Sequence, residues 1–331
     1  MNINFEVLKE LYYRALRIRL IEEKIADLYS DQEMRCPVHL SIGQEAIAVG
    51  VCSALMVQDY VLGNHRSHAH YLAKGGNLKA MLAEIYGKKT GCSGGKGGSM
   101  HLVDLSVGFL GSAPIVSSTI PIAVGTAFGT SLKGDNQVTV SFFGDAATEE
   151  GVFYESLNFA SLKKLPVIFV CENNLYSVYS PLSVRQPEGR NIVDIVRGIG
   201  IESLEGDGND ALQVYEMAEQ AVKKARNGNG PVFLKFDTYR WREHCGPNYD
   251  NDLGYRTQAE FQEWKKRDPV NLLDVRLLEN NILGRLEMDI MAETINSEID
   301  EAVIFAKQSP FPEESMPVSY THLTLPTIYS V

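Results

Sequence analysis

Continuous apolar runs alternate with stretches of helical periodicity through the middle of the chain. The runs at 138–143 and 167–171 are typical of strands buried on both faces, and a helical pattern at 151–164 lies between them. The same alternation returns with strands predicted at 201–204 and 232–236 around a helix at 211–226. Strands that alternate with helices predict an α/β fold with a doubly wound, mainly parallel sheet.

Helical patterns also precede and follow this alternating region. Apolar residues recur at helical spacing between positions 4 and 30. Further helices are predicted at 43–55, 77–86 (capped by Asn77), 115–130 (small and buried), 269–279 and 286–306, with a capping signal at Thr257 and Glu260. We therefore expect N- and C-terminal helical extensions around the α/β core.

The expected organisation has four parts. They are an N-terminal helical segment (1–60), the α/β core (61–250), a C-terminal helical extension of the same domain (251–316) and a tail (317–331). The tail changes abruptly to Thr, Leu, Tyr and Pro without charged residues, so we interpret it as non-native sequence and exclude it from the fold.

Composition excludes several classes of function. The 331 residues carry a net charge of −11 and no basic cluster, which argues against a nucleic-acid partner. No run approaches the ~18 apolar residues of a membrane span, and the N-terminus has no apolar signal core, so we expect a cytoplasmic protein without a membrane partner. The five cysteines form no CxxC pair, which indicates neither a zinc site nor a disulfide framework.

Candidate chemistry lies at the carboxyl ends of the two central strands, where open α/β sheets bind ligands. Asp145 follows the first strand within the run Gly144 to Ala147, and Asn174 follows the second. Their side chains offer the oxygen ligands that Mg²⁺ prefers when it is shared with phosphates. The backbone amides of Ala146 and Ala147 are placed to face such a phosphate at the start of a helix.

Two polar segments are interpreted differently. The glycine-rich segment 87–101 is not a P-loop, because Thr90 and Gly97 stand where that motif needs Gly and Ser or Thr, so we expect a flexible surface loop. The polar connection from 175 to 190 is long for a compact domain, which favours a functional role.

The strand-end residues resemble the thiamine diphosphate motif, in which a Gly-Asp-Gly turn precedes an Asn-Asn pair by about thirty residues. Here Asn174 follows Asp145 by 29 positions. The resemblance implies that Asp145, Asn174 and the carbonyl of Tyr176 hold Mg²⁺. Ala146 departs from the motif's second Gly and loses its easy access to positive φ.

Further blocks resemble the alpha subunits of thiamine diphosphate-dependent 2-oxo acid dehydrogenases of the pyruvate, branched-chain 2-oxo acid and acetoin type. The resemblance covers about residues 5–310, through blocks at 39–46, 65–68, 94–101, 144–147 and 165–176. It implies the thiamine diphosphate-binding fold and an alpha chain that holds the diphosphate and Mg²⁺. A beta subunit would complete the site in an α2β2 heterotetramer, which would dock on a lipoyl-bearing acyltransferase. The implied substrate is a pyruvate-like 2-oxo acid or, alternatively, an acyloin such as acetoin.

The resemblance assigns roles residue by residue. It implies catalytic roles for His39, His68 and His244. It implies cofactor contacts at Arg66, Ile115, Val116, Gly144, Asp145, Ala146, Ala147, Asn174, Tyr176 and His244. His65 replaces the usual Tyr before Arg66, and Arg242, Glu243 and Cys245 replace the usual His, Gly and Ser around His244. We expect the segment 241–251 to be mobile without cofactor, with Trp241 as its only large apolar anchor.

Other interpretations stay open on the sequence. One is a Mg²⁺-dependent, phosphate-binding α/β enzyme without thiamine, and another is a subunit that keeps the fold but not the activity. A role for His101 is less favoured, and His70 and His322 are expected to serve packing or to lie on the surface. Cys245 is expected to be a loop residue and not a nucleophile.

Overall fold

A six-stranded parallel sheet forms the centre of the molecule, whose computed structural model describes residues 5–313. The strands are β1 (Tyr60–Gly63), β2 (Phe109–Ser112), β3 (Thr139–Gly144), β4 (Val167–Asn173), β5 (Tyr176–Ser177), β6 (Ser180–Pro181), β7 (Glu202–Asp207) and β8 (Val232–Asp237). The main sheet has the order β2-β1-β3-β4-β8-β7 with parallel pairing throughout, while β5 and β6 form a separate antiparallel pair. The predicted doubly wound α/β fold is confirmed.

Alternate residues of the central strands enter two different hydrophobic cores. In β4, Ile168 and Val170 belong to one core, whereas Phe169 and Cys171 belong to the other. Since both faces are covered, the strand needs apolar residues at every position. This is why the central strands appear in the sequence as unbroken apolar runs.

Twelve α-helices surround the sheet in the described part of the chain. They are α1 (Phe5–Tyr29), α2 (Glu45–Ser53), α3 (His68–Ala73), α4 (Leu78–Ile85), α5 (Thr119–Lys133), α6 (Gly151–Lys163), α7 (Leu182–Arg185), α8 (Ile192–Gly198), α9 (Ala211–Arg226), α10 (Gln258–Lys265), α11 (Pro269–Glu279) and α12 (Arg285–Gln308). Helices α5, α6 and α8 cover one face, and α2 and α9 cover the other. Helix α1 packs outside α2 against α11 and α12. Across residues 5–313, every helix is too short or too polar to pass through a bilayer.

The predicted elements match the observed ones within a few residues, with one informative difference. The helix predicted at 115–130 begins only at Thr119, and Ile115 and Val116 are exposed in the segment before it. The small apolar composition of 115–130 concealed this boundary. The division into four parts stays a prediction, and the tail at 317–331 lies outside the described residues.

The glycine-rich segment is not the loose surface loop that was expected. The carboxylate of Glu84, at the end of α4, is buried and accepts four backbone N–H bonds from this segment. Its Oε2 accepts from Ser93 and Gly95 at 2.8 Å each, and its Oε1 accepts from Gly97 at 2.7 Å and Gly98 at 3.0 Å. Backbone amides that converge in this way form an anion-binding concavity. Here the anion is a side chain of the protein itself, so hydrogen bonds to Glu84 hold the segment against the end of α4.

Candidate functional site

A cavity of about 190 Å³ opens at the carboxyl ends of β1, β3 and β4. It is lined by most of the residues proposed from the sequence: His39, Arg66, Ile115, Val116, Gly144, Asp145, Ala146, Ala147, Asn174, Tyr176 and His244. Among the predicted site residues, His68 alone is absent from the lining. The cavity brings together segments that are more than two hundred positions apart in the sequence, as the strand-end rule for α/β sheets predicts.

The carboxylate of Asp145 is buried at the end of β3 and faces a cation supplied by the protein. Arg185, in α7, forms ion pairs with both Asp145 and Glu149. Burial raises the pKa of Asp145, although the adjacent guanidinium of Arg185 opposes that rise. A dication that coordinates Asp145 must therefore compete with Arg185 for the carboxylate.

The side chain of Asn174 is held in one orientation. Its amide nitrogen donates to Gln44 Oε1 at 3.1 Å, and its Oδ1 accepts from the backbone N–H of Tyr176 at 3.2 Å. Oδ1 keeps a second lone pair, so Asn174 and Asp145 both present oxygen atoms to the same cavity. This donor set suits a hard dication such as Mg²⁺.

The turn after Gly144 does not need a second glycine. Ala146 lies in a 3₁₀ turn, Asp145–Glu149, and is absent from the described non-glycine residues with positive φ. Gly144 itself has φ −78°, and an added Cβ there would meet no atom within 4 Å. The departure from the Gly-Asp-Gly pattern is therefore accommodated without backbone strain.

Arg66 is buried at the cavity, where backbone carbonyls hold its guanidinium. Nη1 donates to Leu40 O at 2.7 Å and Nη2 donates to His244 O at 3.2 Å. Burial, followed by the charge of Arg240, lowers the pKa of Arg66 to about 9, which leaves it a cation at neutral pH.

His68 occupies a different environment from the one expected of a catalytic residue. The ring is fully buried outside the cavity lining, with Nδ1 2.5 Å from Glu22 Oε1 and Nε2 2.8 Å from Ser99 Oγ. Both ring nitrogens are engaged, so the geometry favours a positioning role. Through Ser99, His68 ties α3 to the glycine-rich segment.

Three histidine rings meet at the cavity instead. The ring centroids of His39, His65 and His244 are 4.9 to 5.2 Å apart. Burial, with Arg66 as the next cause in each case, lowers the pKa of His39 and His244 to about 3 and that of His65 to about 2. The three imidazoles are neutral at pH 7. They are therefore better suited to hydrogen bonding than to the proton exchange expected of an imidazole with an ordinary pKa near neutrality.

The segment 241–251 has more anchors than Trp241. Asp250 is buried and pairs with Arg240 and Arg256, and it accepts a hydrogen bond from the Tyr255 hydroxyl at 2.6 Å. Arg242 forms a further ion pair with Glu23 of α1. The expectation of a segment with little to bury was wrong in this respect, because buried ion pairs anchor the segment where no apolar side chain does.

Close packing at Gly43 joins two of the histidine-bearing segments. Gly43 has φ +96°, and an added Cβ would lie 2.6 Å from Tyr239 O and 2.7 Å from the Trp241 ring. The backbone N–H of Trp241 donates to Ile42 O at 3.0 Å beside it. Only glycine fits this position, and the contact fixes the His39 segment against the His244 segment.

Some cavity residues were not singled out from the sequence. Gln44 and Glu172 lay inside motifs that were noted, but neither was given a role. Glu172 accepts from Asn64 Nδ2 at 3.2 Å, and its other oxygen lies 3.0 Å from Nε2 of His70, which stacks on Phe142. The signal for Arg185 was indirect, since it lies within the connection 175–190 that seemed too long to be idle.

Comparisons with known proteins are consistent over nearly the whole chain. The sequence profile of a family described as "Dehydrogenase E1 component" matches residues 13–315. The chain is 36% identical over 325 residues to the pyruvate dehydrogenase E1 component subunit alpha of Porphyra purpurea, covering 95% of this chain and 92% of that protein. It is 38% identical over 307 residues to the alpha subunit of acetoin:2,6-dichlorophenolindophenol oxidoreductase of Bacillus subtilis (strain 168), covering 92% and 90%. It is also 38% identical over 312 residues to the chloroplastic pyruvate dehydrogenase E1 component subunit alpha-3 of Arabidopsis thaliana, covering 92% and 72%.

Proposed function

This chain belongs to the dehydrogenase E1 component family, and we propose that it is the alpha subunit of a thiamine diphosphate-dependent dehydrogenase complex. In this proposal the complex decarboxylates a pyruvate-like 2-oxo acid and transfers the acyl group to a lipoyl carrier. The supporting observation is the convergence of Asp145, Asn174 and Arg66 on one cavity at the strand ends.

The residues present suit the diphosphate end of this cofactor. Asp145, Asn174 and the carbonyl of Tyr176 would hold Mg²⁺, and Arg66 together with the amides of Ala146 and Ala147 would contact the phosphates. When bound, thiamine diphosphate supplies the carbon nucleophile that adds to the substrate carbonyl. The protein's own contribution is to position and orient the two partners.

The active site is completed by a beta subunit in an α2β2 assembly that docks on a lipoyl-bearing acyltransferase. Within the described lining of the cavity, both carboxylates already have partners: Asp145 pairs with Arg185, and Glu172 bonds with His70 and Asn64. No lining carboxylate is therefore free to act as a base on the cofactor. Ile115 and Val116, at the cavity, are 72% and 50% exposed, as is expected of residues covered by a cofactor or a second chain.

His39 and His244 contribute as neutral groups. Their lowered pKa values leave each ring with one N–H donor and one acceptor nitrogen at pH 7. They can orient the substrate's oxygen atoms by hydrogen bonding without adding charge. The described cysteines are all free, which agrees with the reducing cytoplasm in which we place the complex.

An acyloin is a second candidate substrate, and the charge of the cavity favours it. Among the described lining residues, Arg66 is the one side chain with a permanent positive charge, and two carbonyls already hold it. A neutral acyloin needs no partner for a carboxylate, whereas a 2-oxo acid does. Single-turnover acylation of a lipoyl domain by the assembled complex, with pyruvate and acetoin in parallel, distinguishes the two substrate classes.

The cofactor assignment is tested by calorimetric titration of the assembled alpha–beta complex with thiamine diphosphate and Mg²⁺. Asp145→Ala and Asn174→Ala should each abolish Mg²⁺-dependent binding, because each removes an oxygen ligand. Asp207→Ala is the matched control, since Asp207 ends β7 at the same edge of the sheet but lies outside the cavity lining. Wild-type affinity in both cavity variants would rule out this metal site.

The two-chain arrangement makes a separate prediction. The purified alpha chain should show no turnover with either substrate until the beta chain is added. Steady turnover by the alpha chain alone would contradict a site shared between subunits.

A further inference from the structure

Three histidines at the cavity form one group, although the proposed function uses only His39 and His244 and gives His65 no role. His39 precedes α2, His65 follows β1 and His244 follows β8, so three separate parts of the chain bring the rings together. One ring nitrogen from each residue lies within 4.8 Å of those of the other two. Their rings meet edge-on or tilted, and not stacked.

His39 has an unsatisfied nitrogen in this group. The residue is 6% exposed, and its Nδ1 is buried with no hydrogen-bond partner among the described residues. A buried polar atom without a partner costs about 1–3 kcal/mol, so native structures retain few of them. His39 lines the cavity together with His65 and His244, and a partnerless ring nitrogen beside that cavity points to a ligand.

The protonation state of the group suits a metal ion. A metal can bind an imidazole nitrogen only after its proton has left. Burial and the field of Arg66 lower the pKa of all three rings to about 2 or 3, so protons do not compete at neutral pH. The positive charge of Arg66 also opposes a dication, which weakens the site without removing its ligands.

We propose that His39, His65 and His244 form a binding site for a divalent transition-metal ion of the zinc class, separate from the Mg²⁺ site at Asp145 and Asn174. Three imidazoles with an open fourth position are a ligand set that zinc accepts, with Zn–N distances of about 2.0–2.1 Å. Tetrahedral coordination places the nitrogen atoms about 3.3 Å from one another, so the rings would have to close in from a present spacing of up to 4.8 Å. Water or an oxygen atom of a small ligand in the cavity would complete the tetrahedron.

Mg²⁺ is not expected at this site. It prefers oxygen ligands in octahedral geometry, whereas imidazole nitrogen suits zinc and its neighbours in the transition series. The two sites would therefore bind different ions within one cavity, Mg²⁺ at the oxygen ligands and a zinc-class ion at the histidines.

The test is calorimetric titration of the full chain with Zn²⁺, with any affinity tag removed and Mg²⁺ in excess to occupy the oxygen site. We expect one zinc per chain, bound more weakly than in four-ligand structural sites because one ligand is missing and Arg66 is close. His65→Ala should weaken zinc binding by at least about 10–100-fold, which is the usual effect of removing the hydrogen-bonding partner of a metal ligand. His244→Ala should do the same.

Two controls separate this site from other zinc ligands on the chain. His101→Ala removes an exposed histidine outside the cavity lining, and Cys245→Ser removes the exposed thiol beside His244. Both variants should keep wild-type affinity. X-ray absorption of the zinc-loaded wild-type chain gives a check that needs no variant, and we expect three nitrogen neighbours and no sulfur. Absence of stoichiometric binding, undiminished affinity in His65→Ala, or a sulfur-coordinated zinc would each overturn the proposal. No cofactor is present in these titrations, so their outcome is independent of the proposed function.

Discussion

Replacing Glu84 with glutamine should destabilise the protein markedly, although the two side chains have nearly the same shape. In the native chain each carboxylate oxygen accepts two N–H bonds from the glycine-rich segment. Glutamine keeps one oxygen and replaces the other with an NH₂ group. Whichever way the amide is turned, two backbone N–H groups face a donor and lose their acceptor.

The magnitude follows from these two lost bonds. A buried donor without a partner costs about 1–3 kcal/mol, so Glu84→Gln should cost about 2–6 kcal/mol. At about 2 °C per kcal/mol for a chain of this length, the midpoint of thermal unfolding should fall by roughly 4–12 °C. Hydrogen exchange in the segment from Ser93 to Gly98 should rise at the same time, because two of the amides that bind Glu84 lose their acceptor.

Differential scanning calorimetry and hydrogen-exchange mass spectrometry measure the two effects. Glu263→Gln is the matched control, because the Glu263 side chain is 69% exposed and pairs with the equally exposed Lys266. That control should change the midpoint by no more than about 1 °C, since exposed pairs contribute little. An unchanged midpoint and unchanged exchange in Glu84→Gln would refute the role assigned to the carboxylate.

Four further expectations concern the cavity and its surroundings. His244→Ala should bind cofactor almost normally, because the backbone carbonyl that holds Arg66 remains, but lipoyl acylation should slow by roughly 10²–10⁴ in single-turnover measurements; a full rate would leave the ring without a catalytic role. Asp250→Ala should lower stability by about 3–5 kcal/mol in urea titration, because it leaves buried arginines without their anion, and a loss under about 1 kcal/mol would contradict this. The free energy of unfolding should fall as pH drops below about 6.5, because the histidines of the unfolded chain then bind protons, whereas the folded histidines with lowered pKa values do not. In His65→Ala this fall should be shallower. An identical pH profile in the variant would count against the lowered pKa of His65. Mg²⁺-dependent cofactor binding should be lost as pH falls through the raised pKa of Asp145, because the protonated carboxyl no longer coordinates the metal. Calorimetry should show the loss beginning above the ordinary aspartate pKa of about 3.9. Constant affinity down to that pH would disprove the role of Asp145 as a ligand.

The sheet and its order of helices were predictable because burial dictates composition at those positions. A strand covered on both faces, such as β4, must be apolar throughout, and that pattern is visible in one sequence. Caps were equally visible, since Asn77 accepts a bond from the Ala80 N–H and Thr257 accepts one from the Glu260 N–H, as their positions suggested. The side chain of Glu260 differs, because it accepts from the Tyr176 hydroxyl instead of closing a capping box.

The partners of polar side chains were not predictable in the same way. Glycines in the sequence indicate freedom of the backbone, but not that a glutamate 9 to 14 positions earlier will accept hydrogen bonds from this segment. Arg185 and Asp145 are forty positions apart, and nothing local to either residue indicates that they pair. His68 stands in a motif beside Arg66, yet its ring turns into the core toward Glu22. Such contacts depend on tertiary placement, which pattern and spacing do not encode.

The tight contact at Gly43 has a consequence for genetic screens. Any side chain at this position collides with the backbone at Tyr239 and the ring of Trp241, and it must also adopt a φ of +96°. Substitutions there should therefore eliminate activity in a selection as completely as changes at residues that contact ligands. A map of positions that do not tolerate substitution, taken alone, would class Gly43 with the residues that contact ligands. Measuring protein abundance alongside growth separates the two, since a Gly43 variant should be depleted from the cell and a ligand-contact variant should accumulate normally.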